Sequence, residues 1–265
     1  MAKDKVDDIL RKYGGKIEKS VEDFDGTDFS SEYLRFKKEI SPELSIYEKL
    51  AKGVGNTFKL RLKQKDEQRL QVAIDTSHIE LTPADAAGFA ITVFLSLIFI
   101  SLMLIVGLYL AGITLPIFVI LLFFVVAVFA YFYTSKIPER LAQKWRLKAS
   151  AQMVPAILYM VIYMKHTSNL ERAINFAATH LQPPLSLDLR KIIWDVETGK
   201  YSSVKVSLDA YLETWKGYSI EFVESMHLIE GSLYEPIESR RIEILEKGLS
   251  IMLEGVYDKM LKFTH

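Results

Sequence analysis

The chain has 265 residues, of which half are hydrophobic and a quarter are charged, and it contains no cysteine. Lysine and arginine together number 33, as do aspartate and glutamate, so the formal net charge is zero. The lack of cysteine excludes disulfides, thiolate metal sites and cysteine nucleophiles. The charge balance argues against nucleic acid as a partner, because nucleic-acid-binding proteins usually carry a clear basic excess.

The first region, residues 1–84, mixes charged and apolar residues at helical spacing, which predicts a cytoplasmic helical region. Its first thirty residues or so contain Gly14-Gly15 and a run of aspartates between Asp23 and Asp28. Glycine and aspartate favour turns and loops over helix interiors. We therefore expect this lead-in to be weakly ordered.

The central region contains no charged residue between Asp85 and Lys136. A helix that crosses a bilayer needs roughly 20 apolar residues, so this stretch is long enough for two. We predict a transmembrane hairpin over residues 85–135, with helices at about 86–109 and 114–134 and a turn between them. A buried hairpin of a soluble core is the alternative, and the complete lack of charge disfavours it.

The flanks of the hairpin predict its orientation. Both are rich in lysine and arginine, whereas the turn between the two helices has neither. Positively charged residues stay on the cytoplasmic side of a membrane. We therefore expect a multi-pass protein of the cell (cytoplasmic or inner) membrane, embedded in the lipid bilayer with both termini in the cytoplasm. The basic flanking residues are Lys49, Lys52, Lys59, Arg61, Lys63, Lys65 and Arg69 on one side, and Lys136, Arg140, Lys144, Arg146 and Lys148 on the other.

The first predicted span carries a stripe of small residues. Gly88, Thr92 and Ser96 recur at four-residue steps after Ala84. Small residues on one face let another membrane helix approach closely, so the stripe is a candidate helix-packing surface, with chance recurrence as the alternative.

The last region, residues 136–265, has the punctuation of successive helices. Pro155 predicts a helix start, and Gly199 and Gly217 predict helix ends. No strand pattern occurs, so we predict an all-α membrane protein whose two-helix hairpin carries a cytoplasmic antiparallel six-helix bundle.

Acidic residues are concentrated within residues 192–238, where nine acids stand against three lysines. Such a surface suits a basic partner, although an ordinary solvated surface would look the same. The residues that we predict as partner contacts, from charge alone, are Glu213, Glu221, Glu224 and Glu230.

Signatures of catalysis or cofactor binding are missing from the sequence. Lys52-Gly-Val-Gly-Asn-Thr57 lacks the further residues of a phosphate-binding loop, and the five histidines form no zinc-binding pair. No serine lies in a nucleophile-elbow motif. We therefore expect no catalytic, metal or cofactor site and no enzymatic activity.

The order of these regions resembles the polytopic platform proteins of type II secretion, type IV pili and the archaellum, with the Leu-Thr-Pro83 segment closest to the archaeal branch. The resemblance covers roughly 70–262. The residues that carry it are Leu70–Pro83, Val154-Pro155, Leu170-Glu-Arg-Ala-Ile174, Ile193-Trp-Asp-Val-Glu-Thr-Gly199 and Phe222–Glu230.

The resemblance implies a non-enzymatic protein beneath a filament, whose cytoplasmic secretion-system F-like domain contacts a hexameric secretion ATPase. Movements of the ATPase would be transmitted through it to lift pilin-like subunits out of the bilayer. Family members usually contain further membrane helices, so the resemblance also implies a homo-oligomer or further membrane subunits. Two other interpretations are a membrane-tethered helical adaptor or regulator that recruits a soluble partner, and a subunit of a larger transporter or membrane enzyme.

Overall fold

The structure, a computed structural model, describes residues 2–22, 42–55, 62–113 and 115–264. Within these ranges the chain is helical and contains no strand, which confirms the predicted all-α class. The helices are α1 (Ala2–Glu22), α2 (Pro42–Gly55), α3 (Gln64–Thr76), α4 (Pro83–Leu110), α5 (Ile117–Ser135), α6 (Ile137–Ser150), α7 (Met153–His166), α8 (Leu170–His180), α9 (Leu185–Glu197), α10 (Val204–Glu213), α11 (Ile220–Gly231) and α12 (Glu238–Thr264), with a 3₁₀ turn at Ser232–Tyr234.

The chain divides into two compact units. The first, which we call the hairpin unit, is Ser41–Arg146, and the second, the helical unit, combines Met1–Ile40 with Leu147–His265. This division differs from the predicted regions, because α1 belongs to the same unit as α7 to α12 and not with α2 and α3.

Helices α4 and α5 are long and apolar enough to cross a membrane. Only 6% of the most apolar stretch of each is buried inside the protein, so most of their apolar side chains face outward. α4 starts with a capping box, in which the Thr82 side chain accepts from the backbone N–H of Asp85 while the Asp85 carboxylate accepts from that of Thr82. The helix runs through Gly107 to Leu110, and Gly112 makes the turn with a φ of 79°.

The hairpin unit has a small core where the first residues of α4 meet α2 and α3. Its buried residues are Ala51, Ile74, Ile79, Leu81 and Ala86, and Tyr47, Phe89 and Leu141 pack against them. The Tyr47 and Phe89 rings meet edge to face with centroids 5.6 Å apart. An ion pair of 2.8 Å between Arg69 and Glu139 also joins α3 to α6.

The helical unit is built on one larger core around α7. This helix is apolar on every side, and its residues from Met160 to Met164 are all buried. A helix that is hydrophobic all round lies inside a protein or a membrane, and here protein encloses it. Phe176 of α8 and Phe222 of α11 are among its largest fully buried side chains.

The N-terminal segment is more ordered than expected. Residues 2–22 form α1, and its Val6 and Ile17 are buried in the core of the helical unit. Apolar residues recur at three- and four-residue steps along α1, which gives the helix a face that can be buried. The prediction of a weakly ordered lead-in is therefore wrong for residues 2–22. Residues 23–41 lie outside the described residues.

The three residues predicted to punctuate helices take different places. Pro155 is in the first turn of α7, where its missing N–H costs no hydrogen bond. Gly199 follows the C-terminal cap of α9 with a φ of 75°, a conformation that favours glycine. Gly217 lies beyond the end of α10, which stops at Glu213, and its φ is not positive.

Candidate interaction surfaces

The four glutamates predicted as partner contacts lie on two helices. Glu213 is the last residue of α10, and Glu221, Glu224 and Glu230 are on α11. Successive residues of a helix are rotated by about 100°. Glu221 and Glu224 therefore lie on neighbouring faces of α11, whereas Glu230 lies on the side opposite Glu221. The four residues do not share one face.

Glu230 is a buried partner in an ion pair. Its side chain is 7% exposed, and Lys205 Nζ of α10 lies 2.6 Å from its carboxylate. The hydrogen bond to Glu230 raises the pKa of Lys205. A second contact between α10 and α11 joins His227 to Asp209 at 3.4 Å. Glu230 therefore joins two helices and presents little charge to a partner.

Glu221 is half-buried against α12. Its carboxylate accepts a hydrogen bond of 3.1 Å from the Ser219 hydroxyl. Its side chain also lies directly over Gly255, so closely that a methyl group at that position would collide with it. The glycine thus allows α11 and α12 to approach each other at this level.

Glu213 and Glu224 are the two predicted acids with exposed side chains. Glu213 forms an ion pair with Lys216 one helical turn further along the chain. Exposed ion pairs of this kind contribute little to stability, so the pairing with Lys216 does not withhold the Glu213 carboxylate from a partner. Of the four predicted acids, Glu213 and Glu224 are thus exposed, Glu221 is half-buried and Glu230 is buried.

Tyr234 and Ile237 are exposed apolar residues that the sequence did not point to. Tyr234 is 68% exposed, and Ile237, three residues further along, is 49% exposed. Lys205 Nζ lies 5.2 Å from the centre of the Tyr234 ring. The only sequence signal is an isolated Tyr-Glu-Pro-Ile segment in a turn, which reveals nothing about exposure.

The small-residue stripe of α4 changes character along its length. Gly88 is buried, Thr92 is partly buried, and Ser96 is exposed. The Thr92 hydroxyl donates to the Gly88 carbonyl, and the Ser96 hydroxyl donates to the Val93 carbonyl, each at 2.9 Å. Both hydroxyls are thus satisfied within their own helix, as they must be in lipid.

The packing between α4 and α5 includes an aromatic pair. The Phe94 and Tyr131 rings meet with centroids 5.9 Å apart, and Ala127 of α5 is 1% exposed. This contact lies on other residues than Gly88, Thr92 and Ser96. A role for the stripe in packing against a further helix stays a prediction.

Two partly buried tyrosines give a matched test of polar packing. The Tyr211 hydroxyl donates a hydrogen bond of 3.2 Å to Asp188, which is 5% exposed. Burial raises the pKa of Tyr211 well above its usual value, and the negative charge of Asp188 adds to this shift. The Tyr47 hydroxyl is buried without a hydrogen-bond partner among the described residues, and burial raises its pKa to about 12.

We expect Tyr211→Phe to lower the free energy of unfolding by about 1–3 kcal/mol, because a buried carboxylate loses a donor. Tyr47→Phe removes the same atom from a site that makes no bond with it, so its effect should be neutral or stabilising. Thermal unfolding of the two detergent-solubilised variants measures the difference, and equal losses would contradict this account.

Above the usual tyrosine pKa of about 10 the free energy of unfolding should fall, because the pKa values of Tyr47 and Tyr211 are both raised in the folded state and ionisation therefore favours the unfolded chain. Each variant lacks one of the two ionising hydroxyls, so each should lose less stability than the unchanged protein over this pH range.

The described residues contain no group of three or more histidine, aspartate or glutamate side chains that could hold a metal ion. An open depression of about 580 Å³ is lined by Gln64, Glu67, Gln68, Gln71 and Val72. All five belong to α3, and one helix alone does not enclose a ligand.

Comparison of the chain with protein-family models, with curated proteins and with solved structures finds no match.

Proposed function

We propose that the chain is an integral membrane platform protein for assembly of a type IV pilus-like filament, an archaellum or a type II secretion pseudopilus. In this proposal the helical unit lies in the cytoplasm, where its helices α7 to α12 form the antiparallel six-helix bundle and contact a hexameric secretion ATPase. Movement of the ATPase is passed through the bundle and the hairpin to pilin-like subunits in the bilayer. The protein itself catalyses no reaction.

The observation that carries the proposal is the pairing of an outward-facing apolar hairpin with a separately packed helical unit. The hairpin exposes a row of large apolar residues, among them Phe99 and Phe129 at 62% and 70%. A soluble protein rarely exposes a large contiguous apolar surface, whereas lipid accepts it. The helical unit has its own core, so it can move as one body when a soluble partner pushes on it and transmit that movement.

The ATPase contact is proposed for Glu213 and Glu224. Both side chains are exposed, and the region around them is acidic. A basic surface on the ATPase would be attracted over about 30 Å at 0.01 M salt but only about 8 Å at physiological salt. Binding should therefore weaken as the salt concentration rises.

The test is capture of the protein from native membranes in mild detergent at low salt, with mass spectrometry of whatever accompanies it. We expect a secretion ATPase, with or without a pilin. Recovery of an unrelated soluble protein and no ATPase would favour the membrane-tethered adaptor. A polytopic partner with charged residues inside the membrane would favour the transporter subunit.

Charge reversal locates the contact. Glu213→Lys combined with Glu224→Lys should reduce ATPase capture at low salt. The effect should be smaller at high salt, because screening weakens the electrostatic interaction with the ATPase for the variant and the unchanged protein alike. Glu243→Lys, which reverses an exposed acid of α12, serves as the control. Equal capture by the double variant and the control would remove this surface from the proposal.

A further inference from the structure

Helix α4 is longer than the hydrocarbon core of a bilayer is thick. Its 28 residues correspond to about 42 Å, whereas the hydrocarbon core is about 30 Å across. The buried residues of α4 are Pro83, Ala86, Gly88 and Ala90, all in its first eight positions. Protein therefore covers the beginning of the helix, and the remaining length matches the hydrocarbon core.

Helix α2 packs on this covered beginning of α4. Tyr47 contacts Phe89, and Ala51 and Ala86 are buried in the same small core. The Glu48 carboxylate accepts from the backbone N–H of Glu80 at 2.7 Å. Further along α2, Lys52 Nζ lies 3.5 Å from the Glu80 carboxylate. Since Glu80 precedes α4 and Phe89 is its seventh residue, the Tyr47 end of α2 is the end nearer to the apolar part of the span.

Beside its buried face, α2 exposes two large apolar side chains. Ile46 is 63% exposed and Leu50 is 52% exposed. They are four residues apart and so lie one above the other on the helix. Next to them around the helix is the exposed side chain of Lys49. Apolar residues bordered by lysine are typical of helices that lie in a membrane interface.

Further basic residues of the hairpin unit lie where α5 ends. Lys136 is the residue after α5 and is exposed. The Arg140 guanidinium lies 4.3 Å from the centre of the Tyr133 ring. A tyrosine with an adjacent cation is the usual arrangement at the headgroup level of a bilayer. Such cations attract anionic lipid headgroups.

From this continuity we propose that α2 is an interfacial helix that inserts Ile46 and Leu50 into the headgroup region beside α4, with Lys49 against anionic lipid headgroups. The proposal rests on the membrane hairpin of the proposed function, not on the ATPase. If α2 is held in this way, the membrane binds α2 as well as the spans. Displacement of α2 from the lipid would then disturb its contacts with the first residues of α4.

The test uses single cysteines in the full chain, which has none of its own. Ile46→Cys, Gly53→Cys and Phe99→Cys are each labelled with an environment-sensitive dye and reconstituted into vesicles of phosphatidylcholine with one part in three phosphatidylglycerol. Gly53 is a depth control on the same face of α2, two turns further along, where a Cβ would meet nothing within 4 Å. Phe99, within α4, reports on the hairpin itself.

Lipids that carry a quencher near the headgroup should remove most of the dye emission at position 46 and a smaller part of it at position 53, because the Tyr47 end of α2 is the end nearer to the apolar part of the span. Replacing Lys49 by glutamine should weaken quenching at position 46 in these vesicles but not in pure phosphatidylcholine. Quenching at 99 by lipids with the quencher deep in the chain, without any quenching at 46, overturns the interfacial helix and leaves the hairpin intact. Loss of quenching at both 46 and 99 overturns the hairpin as well. A disulfide between two copies of the Ile46→Cys variant, without quenching, would assign the face to a second copy instead.

Discussion

Replacing Val126 by arginine should prevent stable insertion of the hairpin. Val126 lies near the middle of α5 and is 50% exposed. On scales of membrane insertion, moving from valine to arginine at a helix centre costs about 3 kcal/mol, because a charge replaces an apolar group in hydrocarbon. If α5 crosses the bilayer, this penalty falls directly on the span.

The measurement is the fraction of chain that resists alkaline extraction after translation in the presence of membranes. Val126→Arg should lower that fraction strongly. Tyr234→Arg, which places the same charge at a residue 68% exposed in the helical unit, should leave it unchanged. If the protein were soluble, little of it would resist extraction, and arginine at this exposed apolar position would leave that fraction unchanged. Equal extraction of the two variants would therefore argue against the span.

Replacing Phe222 by alanine should give the largest loss of folding stability. Phe222 is fully buried, and its ring meets that of Trp215 with centroids 6.1 Å apart. Removal of such a side chain typically costs about 3–5 kcal/mol, through lost burial and the cavity left behind. Because Phe222 lies between Glu221 and Glu224, the change should also disturb the proposed ATPase contact.

Urea unfolding in detergent, followed by tryptophan fluorescence, measures this loss. Ile220→Ala is the matched control, because Ile220 is on the same helix but 49% exposed. Its cost should be no more than about 1 kcal/mol. If Phe222→Ala unfolds at the same urea concentration as the control, the core around α11 is not packed as described.

The hairpin could be predicted from the sequence because its signal is local. Fifty neighbouring positions without charge need no tertiary information, and the cap at Thr82 depends only on residues three apart. The helix ends were less predictable. The predicted helices at about 86–109 and 114–134 start three residues late and early, respectively, compared with Pro83–Leu110 and Ile117–Ser135, and the sequence alone did not show that Gly112 is the glycine with positive φ.

The N-terminal helix was missed because a local signal and a tertiary contribution conflict. Gly14-Gly15 weakens a helix by about 1 kcal/mol per glycine, whereas Val6 and Ile17 gain stability by burial in a core formed by residues far along the chain. Burial outweighs propensity in such cases. Only the periodicity of the apolar residues of α1 could have shown this in advance.

The burial of Glu230 could not be predicted from charge alone. Its partner, Lys205, is on another helix, and their approach depends on how α10 and α11 pack. In the sequence Glu230 looks the same as Glu224, which is exposed. The location of an acidic region was thus accessible from the sequence, but which of its members face solvent was a question of tertiary structure.

The central claim is that the hairpin places the two long flanks on the same side of the membrane. Since the chain lacks cysteine, single cysteines at Tyr13, Ala111 and Tyr234 report directly on this. A membrane-impermeant maleimide applied to intact cells stripped of any outer layer should label position 111, in the turn between α4 and α5. It should label positions 13 and 234 only after the membrane is opened. Labelling of 13 or 234 in intact cells, or protection of 111, would contradict the account.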